Sequence, residues 1–204
     1  MKLIKVFSSA LCVLVAGCSF GPAPAPPIAV YDFGVATPKL QAVRFSATLA
    51  LDDVNAPAWL HSPAIVYRLA YRDIAQLHPY SLSRWAAAPP VLVTQRLRSA
   101  LGKVARRGFT AVADGVRSDY VLRVELDSFV QVVDAPNSAR GIIRARASLI
   151  DPAQRSLRAQ RVFEVEHPSP SVDAPGAVRA LSAATDDLIA QLIDWTARET
   201  GSAR

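Results

Sequence analysis

The chain has 204 residues, of which 51% are hydrophobic, enough for one hydrophobic core of ordinary size. Lysine and arginine outnumber aspartate and glutamate by 23 to 17, so the formal charge is +6. Its two cysteines are too few for a disulfide framework, which means that the stability of the fold must come from packing.

The first residues have the pattern of an export signal. Lys2 and Lys5 precede an apolar run from Val6 to Ala16, and the sequence Val15-Ala16-Gly17-Cys18 has the small residues and the cysteine of a lipobox. The run is too short to span a bilayer, which takes roughly 20 apolar residues. We therefore expect residues 1–17 to be a lipoprotein signal peptide that is removed, and Cys18 to carry covalent lipid.

Removal of the signal peptide changes the composition of the chain. It leaves 187 residues, takes away Cys12 and two lysines, and lowers the formal charge to +4. Ser19 follows the lipidated cysteine where an aspartate would favour inner-membrane retention, so the expected location is the periplasmic side of the outer membrane. That compartment excludes nucleic acid as a partner.

A short tether follows the anchor. Gly21–Pro27 reads Gly-Pro-Ala-Pro-Ala-Pro-Pro, which favours extended polyproline geometry and cannot bury a core. Residues 18–27 are therefore predicted to be the lipidated cysteine and a stiff tether. No second linker is apparent, so residues 28–204 are predicted to form a single periplasmic domain.

The predicted elements begin with strands and a helix. Apolar or alternating runs predict strands over Ile28–Phe33, Val43–Leu51 and Ala64–Tyr71. A helix is predicted over residues 88–107, ending before Gly108, because apolar residues recur there at helical spacing. Those apolar residues are Val93, Leu97, Ala100, Leu101 and Val104.

The second half predicts a meander and a long helix. Leu122, Val124 and Leu126 alternate with charged residues in a strand from 120 to 133, and strands over Gly141–Ile150 and Leu157–Glu166 follow. A helix over 173–199 is predicted from the spacing of Leu181, Thr185, Leu188, Leu192 and Trp195. Two amphipathic helices on one face of a mainly antiparallel sheet make an α+β, two-layer sandwich.

Two stretches resemble a known family. Val54–Arg68, in which a strand ends in a Pro/aromatic/Leu loop and re-enters a strand, is similar to the signature of the ABC-type transport auxiliary lipoproteins, the PqiC-like family. Arg84–Pro89, which runs straight into a helix, is similar to the same family's second landmark. The motif residues, which are candidates for partner binding, are Pro57, Trp59, Leu60, Val66, Arg68, Arg84, Trp85 and Pro89.

The resemblance implies a non-enzymatic auxiliary subunit of an ABC-type lipid transport system of the Mla/Pqi kind. Its expected partner is a periplasmic MCE-domain protein, and the membrane is contacted through the lipid anchor. Because MCE proteins of this class are ring-like, a homo-oligomer is compatible with the resemblance. It implies no catalytic residue, no metal and no cofactor other than the lipid on Cys18. The alternative is a structural or regulatory envelope lipoprotein that acts on another assembly machine.

Each candidate residue also has an ordinary structural interpretation. Trp59 and Trp85 fit the edge of a core, with a partner interface as the alternative. Arg68 and Arg84 are interpreted as ordinary exposed arginines, with acidic partners or lipid headgroups as the alternative. Two larger sets of residues are open to the same question. The tyrosines Tyr67, Tyr71 and Tyr80 fit a half-buried strand, with an exposed binding surface as the alternative. The basic helix residues fit a solvated helix face, with a surface for anionic lipid or an acidic partner as the alternative; they are Arg96, Arg98, Lys103, Arg106 and Arg107.

The sequence does not favour an enzyme. His61, His78 and His167 lie in no recognisable nucleophile or metal motif. The adjacent pairs Asp52-Asp53 and Asp186-Asp187 point their side chains apart on either a strand or a helix, so they are weak metal sites. A phosphate-binding loop is also missing from the sequence, so another chain of the system would hydrolyse ATP.

Overall fold

The computed structural model describes residues 26–35, 47–105 and 109–201. The predicted signal peptide, Cys18 and most of the predicted tether lie outside the described residues. So do Val43–Ser46 of the second predicted strand, and Arg106, Arg107 and Gly108 at the end of the first predicted helix.

The described part of the chain contains eight strands and two α-helices. The strands are β1 Ala29–Tyr31, β2 Leu49–Leu51, β3 Ala64–Leu69, β4 Asp73–Trp85, β5 Phe109–Ala111, β6 Tyr120–Ala135, β7 Ser138–Asp151 and β8 Ser156–Pro168. The helices are α1 Pro89–Val104 and α2 Ala174–Glu199, and short 3-10 turns cover Ala58–His61 and Val112–Asp114.

Strand β6 is the centre of the sheet. Along one edge it pairs antiparallel with β7, which pairs antiparallel with β8, so the predicted meander is confirmed. Its other edge is shared by β2 at Tyr120–Leu122, by a bridge from Asn55 to Glu125, and by β3 at Gln131–Val133, all in parallel.

The remaining strands extend the sheet from that second edge. Strand β4 pairs antiparallel with β3, β1 lies parallel to the end of β4, and β5 lies parallel to β2. The sheet is therefore mixed, with long antiparallel and short parallel pairings, and it is curled into a half-barrel.

Both helices contribute to one core against the sheet, which confirms the α+β fold class. The predicted stripe of α2 is buried, and in α1 the predicted positions are buried except Val104, which is half-buried. Helix α1 begins at Pro89 and Pro90, where a missing N–H costs nothing. Helix α2 is capped by Asp173, the residue before it, whose carboxylate accepts the Gly176 N–H at 2.7 Å. Within the described ranges, neither helix has the length and apolarity to cross a bilayer.

Strand β4 was not predicted from the sequence. Its 13 residues are mostly exposed, include Pro79, and pair with β3 through two register shifts, so they show no clean alternation. A proline is tolerated at an edge, and among the described residues β4 pairs on its outer side only at Ser83–Trp85. The three-residue strand β5 was also missed. Strands β1 and β2 are shorter than predicted.

The outer face of the meander carries a ladder of ion pairs. Arg146 lies 3.5 Å from Glu125, Arg144 lies 2.5 Å from Glu164, and Arg140 contacts both Asp134 and Glu166 at 3.4 Å. All of these side chains are at least one-third exposed, so each pair contributes little to stability. The ladder indicates a solvated face with compensated charge.

Helix α2 approaches β7 closely at Gly141. A Cβ atom there would lie 2.9 Å from the Ala180 Cβ and 3.0 Å from the Leu181 backbone nitrogen, so the helix would have to move. A real Cβ atom essentially never approaches another atom as closely as the 2.9 Å to Ala180 Cβ, and the backbone contacts are also tighter than most, so the position favours glycine.

We expect Gly141→Ala to lower the free energy of unfolding by about 1–3 kcal/mol, because the added methyl overpacks the helix–sheet contact. Urea unfolding followed by circular dichroism measures the change. Gly102→Ala is the matched control: its Cβ would meet Phe109 at an ordinary 3.5 Å, and alanine favours the helix, so it should be neutral or stabilising. Equal destabilisation by the two substitutions would contradict the close approach.

Candidate functional site

An open groove of about 710 Å³ lies between the chain that leaves β1 and helix α2. One wall is formed by Val30–Val35, and the other by Val178, Arg179, Ser182 and Ala183 of α2. The Ser182 hydroxyl has no hydrogen-bond partner among the described residues. On the rim, Val30 is 54% exposed and Val35 is 90% exposed. The groove therefore has an apolar rim that is open to a partner.

A buried ion pair forms the base of the groove. Arg96 of α1 binds Asp186 of α2 through two hydrogen bonds, from Nε to Oδ1 at 2.8 Å and from Nη2 to Oδ2 at 3.1 Å. The two side chains are only 9% and 11% exposed. A bidentate pair with this burial is geometrically specific and fixes the two helices relative to each other.

The same guanidinium holds the chain that leaves β1. Arg96 Nη1 donates to the Gly34 carbonyl at 2.7 Å, and Nη2 lies 3.4 Å from the carbonyls of Phe33 and Val35. Gly34 has φ +63°, a left-handed conformation that glycine adopts without strain, and its N–H donates to Asp32. This turn separates the groove from a smaller pocket of about 210 Å³ beside α1.

The interpretation of Arg96 as part of a solvated helix face was wrong. The free-energy cost of burying the Arg96 guanidinium is offset by its contacts with Asp186 and three backbone carbonyls. The spacing of residues along α1 alone does not reveal these partners. One signal was available: Arg96 lies three residues after Val93 and four before Ala100, both buried, so it flanks the apolar stripe.

The other cations of that helix fit the predicted solvated face. Arg98 pairs with Asp53 at 2.6 Å in an exposed contact, and Lys103 is exposed. Asp52 pairs with Arg123 at 3.2 Å. The two adjacent aspartates therefore bind different arginines, as the divergence of their side chains predicts.

Three apolar family-motif residues, Trp59, Leu60 and Trp85, pack in or against the core and do not line the groove. Trp85 is 1% exposed and packs edge-on against Phe33 and Phe129, with centroid distances of 5.4 and 5.8 Å. Leu60 is buried, and Trp59 is half-buried against the same core. Both tryptophans therefore occupy the structural position that their neighbouring prolines indicate.

The remaining motif residues are dispersed. Pro57 is exposed at the start of a 3-10 turn, Pro89 is buried at the start of α1, and Val66 is half-buried in β3. Arg84 is exposed in β4, while Arg68 donates to backbone carbonyls of the β3–β4 hairpin. The motif residues therefore mainly build the fold and do not form a single binding site.

Two of the three tyrosines belong to an inward network. Tyr67 stacks on His78 and lies 4.7 Å from Tyr80, whose hydroxyl donates to Gln131 Oε1 at 2.5 Å. Gln131 is fully buried and donates in turn to Ser169 and to the Ser171 carbonyl. Burial raises the pKa of the Tyr80 phenol to about 12, with smaller contributions from Tyr67 and Asp173. Only Tyr71 is exposed.

The histidines lie apart from one another. His61 contacts the Ala56 carbonyl, His78 stacks on Tyr67, and His167 pairs with Asp187 at 2.6 Å. Across residues 26–35, 47–105 and 109–201, no group of three histidine, cysteine or acidic side chains is arranged to hold a metal ion.

A family model matches residues 31–193, from the wall of the groove to the last turns of α2. Its description is "ABC-type transport auxiliary lipoprotein component". This chain belongs to that family. The family is an auxiliary component and not an enzyme class, and membership indicates an envelope lipoprotein that works with a transporter.

Solved structures share the fold of this auxiliary lipoprotein. Protein XCC0632 from Xanthomonas campestris is 21% identical, with a TM-score of 0.68 over 86% of this chain and 94% of its own. An uncharacterized protein is 20% identical, with a TM-score of 0.60 over 85% and 99%. The hypothetical protein CT253 from Chlamydia trachomatis is 8% identical, with a TM-score of 0.53 over 75% and 96%. No curated protein matches. At these identities the likeness shows the fold alone.

We expect Arg96→Met to lower the free energy of unfolding by about 3 kcal/mol or more, because it removes the bidentate guanidinium contact from the buried Asp186 carboxylate. Thermal and urea unfolding give the value. Arg98→Met removes an exposed ion pair from the same helix and should cost less than about 1 kcal/mol. If the two variants unfolded alike, the buried pair would not be the contact that joins the helices.

The raised pKa of Tyr80 predicts a loss of stability at high pH. Between about pH 10 and 12 an unfolded tyrosine ionises while Tyr80 stays protonated in the folded chain, so the stability present below pH 10 declines across this interval. Unfolding free energies measured across this range should fall less steeply for Tyr80→Phe. Identical slopes for the two proteins would show that Tyr80 is not the group responsible.

Proposed function

We propose that this protein is a non-enzymatic, lipid-anchored subunit of an ABC-type lipid transport system of the Mla/Pqi kind. It binds the periplasmic MCE-domain partner of that system near the outer membrane. Family membership supports the auxiliary role. The MCE-domain partner and the outer-membrane location go beyond what family membership gives, and they are part of this proposal.

The observation that carries the proposal is the apolar rim of the groove. Ile28, Val30 and Val35 expose 53%, 54% and 90% of their surfaces along one short segment, and Val30 and Val35 line the open groove. Exposed apolar side chains that gather beside a groove are typical of a binding surface. Arg179 on the opposite wall adds a charged group that a partner can pair with.

The ionisable groups at the base of the groove are paired with each other. Arg96 and Asp186 form a bidentate ion pair there, so the groove presents these charges to a ligand only in neutralised form. The groove is open and has an apolar rim, so it is suited to binding a segment of a partner protein.

The anchor sets how far the binding surface can lie from the membrane. Nine residues lie between Cys18 and Ile28, and the ten residue-to-residue steps that join them span at most about 33–36 Å when fully extended. The groove is thereby kept close to the membrane that holds the lipid. A partner that extends across the periplasm from the inner membrane would meet it there.

Val30→Glu tests the groove. The charge should weaken binding of the purified MCE-domain protein at least about tenfold, because a desolvated carboxylate costs more than 1.4 kcal/mol in an apolar contact. Calorimetry with the mature, lipidated chain in detergent measures the affinity. Val162→Glu is the matched control, since Val162 is 53% exposed on the outer face of β8 and should leave binding unchanged.

The outcomes separate the two candidate functions. If the folded wild-type chain does not bind the MCE-domain protein, the transporter proposal fails, and a structural or regulatory lipoprotein acting on another machine becomes the better account. If the wild type binds and both valine variants bind equally well, the partner is correct but the groove is not its site.

A further inference from the structure

The tip of the β3–β4 hairpin, Ala70–Ile74, combines an aromatic, a cationic and an aliphatic side chain. Tyr71 is 46% exposed and Ile74 is 52% exposed. The Arg72 guanidinium carbon lies 5.9 Å from the centroid of the Tyr71 ring. An exposed tyrosine and an exposed aliphatic residue beside an arginine make a group of side chains suited to a membrane–water interface.

This tip is preformed. Arg68 Nη1 donates to the carbonyls of Ile74 and Ala75 at 2.6 and 3.1 Å, and the Asp73 carboxylate accepts the Ala75 N–H at 2.9 Å. The Ala70 N–H donates to the Val133 carbonyl, which ties the turn to β6. Because these bonds already fix the backbone, placing the tip on a surface would cost little conformational entropy.

The direction of β1 brings the anchor to the same end of the domain. Strand β1 runs parallel to β4, with Ala29 opposite Ser83, and β4 starts at the hairpin. The chain before Ala29 therefore enters β1 from the hairpin side. The Ala64–Leu69 stretch of β3, which separates the level of β1 from the hairpin, spans only about 17 Å. The chain from Cys18 to Ile28, with nine residues between them, can reach about twice as far.

We propose that the β3–β4 hairpin tip lies on the phospholipid surface that holds the lipid anchor. Tyr71 and Ile74 enter the headgroup region, and the Arg72 guanidinium binds lipid phosphate. The tip acts as a second, weaker contact that orients the domain, since one anchored point alone leaves rotation free. This inference rests on lipidation of Cys18. It does not depend on the identity of the protein partner.

A single label at the tip tests the contact. In the mature chain Cys12 is removed with the leader and Cys18 is acylated, so Ile74→Cys introduces one reactive thiol for an environment-sensitive fluorophore. The lipidated variant is reconstituted on vesicles of phosphatidylethanolamine and phosphatidylglycerol that carry a lipid-bound quencher. Leu157→Cys is the matched control, because Leu157 is 57% exposed and lies beside the β7–β8 turn, at the end of the sheet opposite the β3–β4 hairpin tip.

We expect the label at position 74 to shift to the blue and to be quenched several-fold more strongly by the lipid-bound quencher than the label at 157. A soluble quencher should show the reverse order. Equal quenching at the two positions, or full access of the soluble quencher to position 74, would overturn the proposal. Failure of the wild-type protein to float with vesicles would overturn the anchor and the hairpin contact together, without bearing on binding to an MCE-domain protein in detergent.

Discussion

The fold depends on the hydrogen bonding of both edges of β6. One edge is paired with β7 from Val121 to Ala135, and the other is divided between β2, Asn55 and β3. Segments distant in sequence thus share one strand of the curled sheet, and both helices contribute residues to the core that packs against it. The loop from β2 to β3, which carries the first family motif, is located by these pairings.

The helix layer adds a second constraint through Arg96. The guanidinium joins α1, α2 and the turn after β1, so the groove wall, the groove base and the core are positioned by one side chain. The two helices bury their apolar stripes in the core, and the space that remains between the helices is filled by the Arg96–Asp186 ion pair. The geometry of the groove follows from this space.

The sequence predicted the elements whose faces differ most in polarity. In β6, buried Leu122 and Val124 alternate with exposed Arg123, and α2 has a continuous apolar stripe, so local spacing was sufficient. Strand β4 has neither signal, because its pairing with β3 is irregular and it lies largely at an edge. The Arg96–Asp186 pair joins positions 90 residues apart, and no local pattern reports on such a contact. The resemblance predicted the family that the family model shows, and most of the residues quoted for it build the fold.

The parallel pairing of β1 with β4 has a mechanical consequence. A pull on the chain before Ala29 acts along the strand axis, so it loads the three β1–β4 residue pairs together in shear and does not peel them apart one by one. Beyond Tyr31 the load passes to the backbone carbonyls held by Arg96, and from there to both helices. Tension on the chain before Ala29 is thereby transmitted directly into the core of the domain.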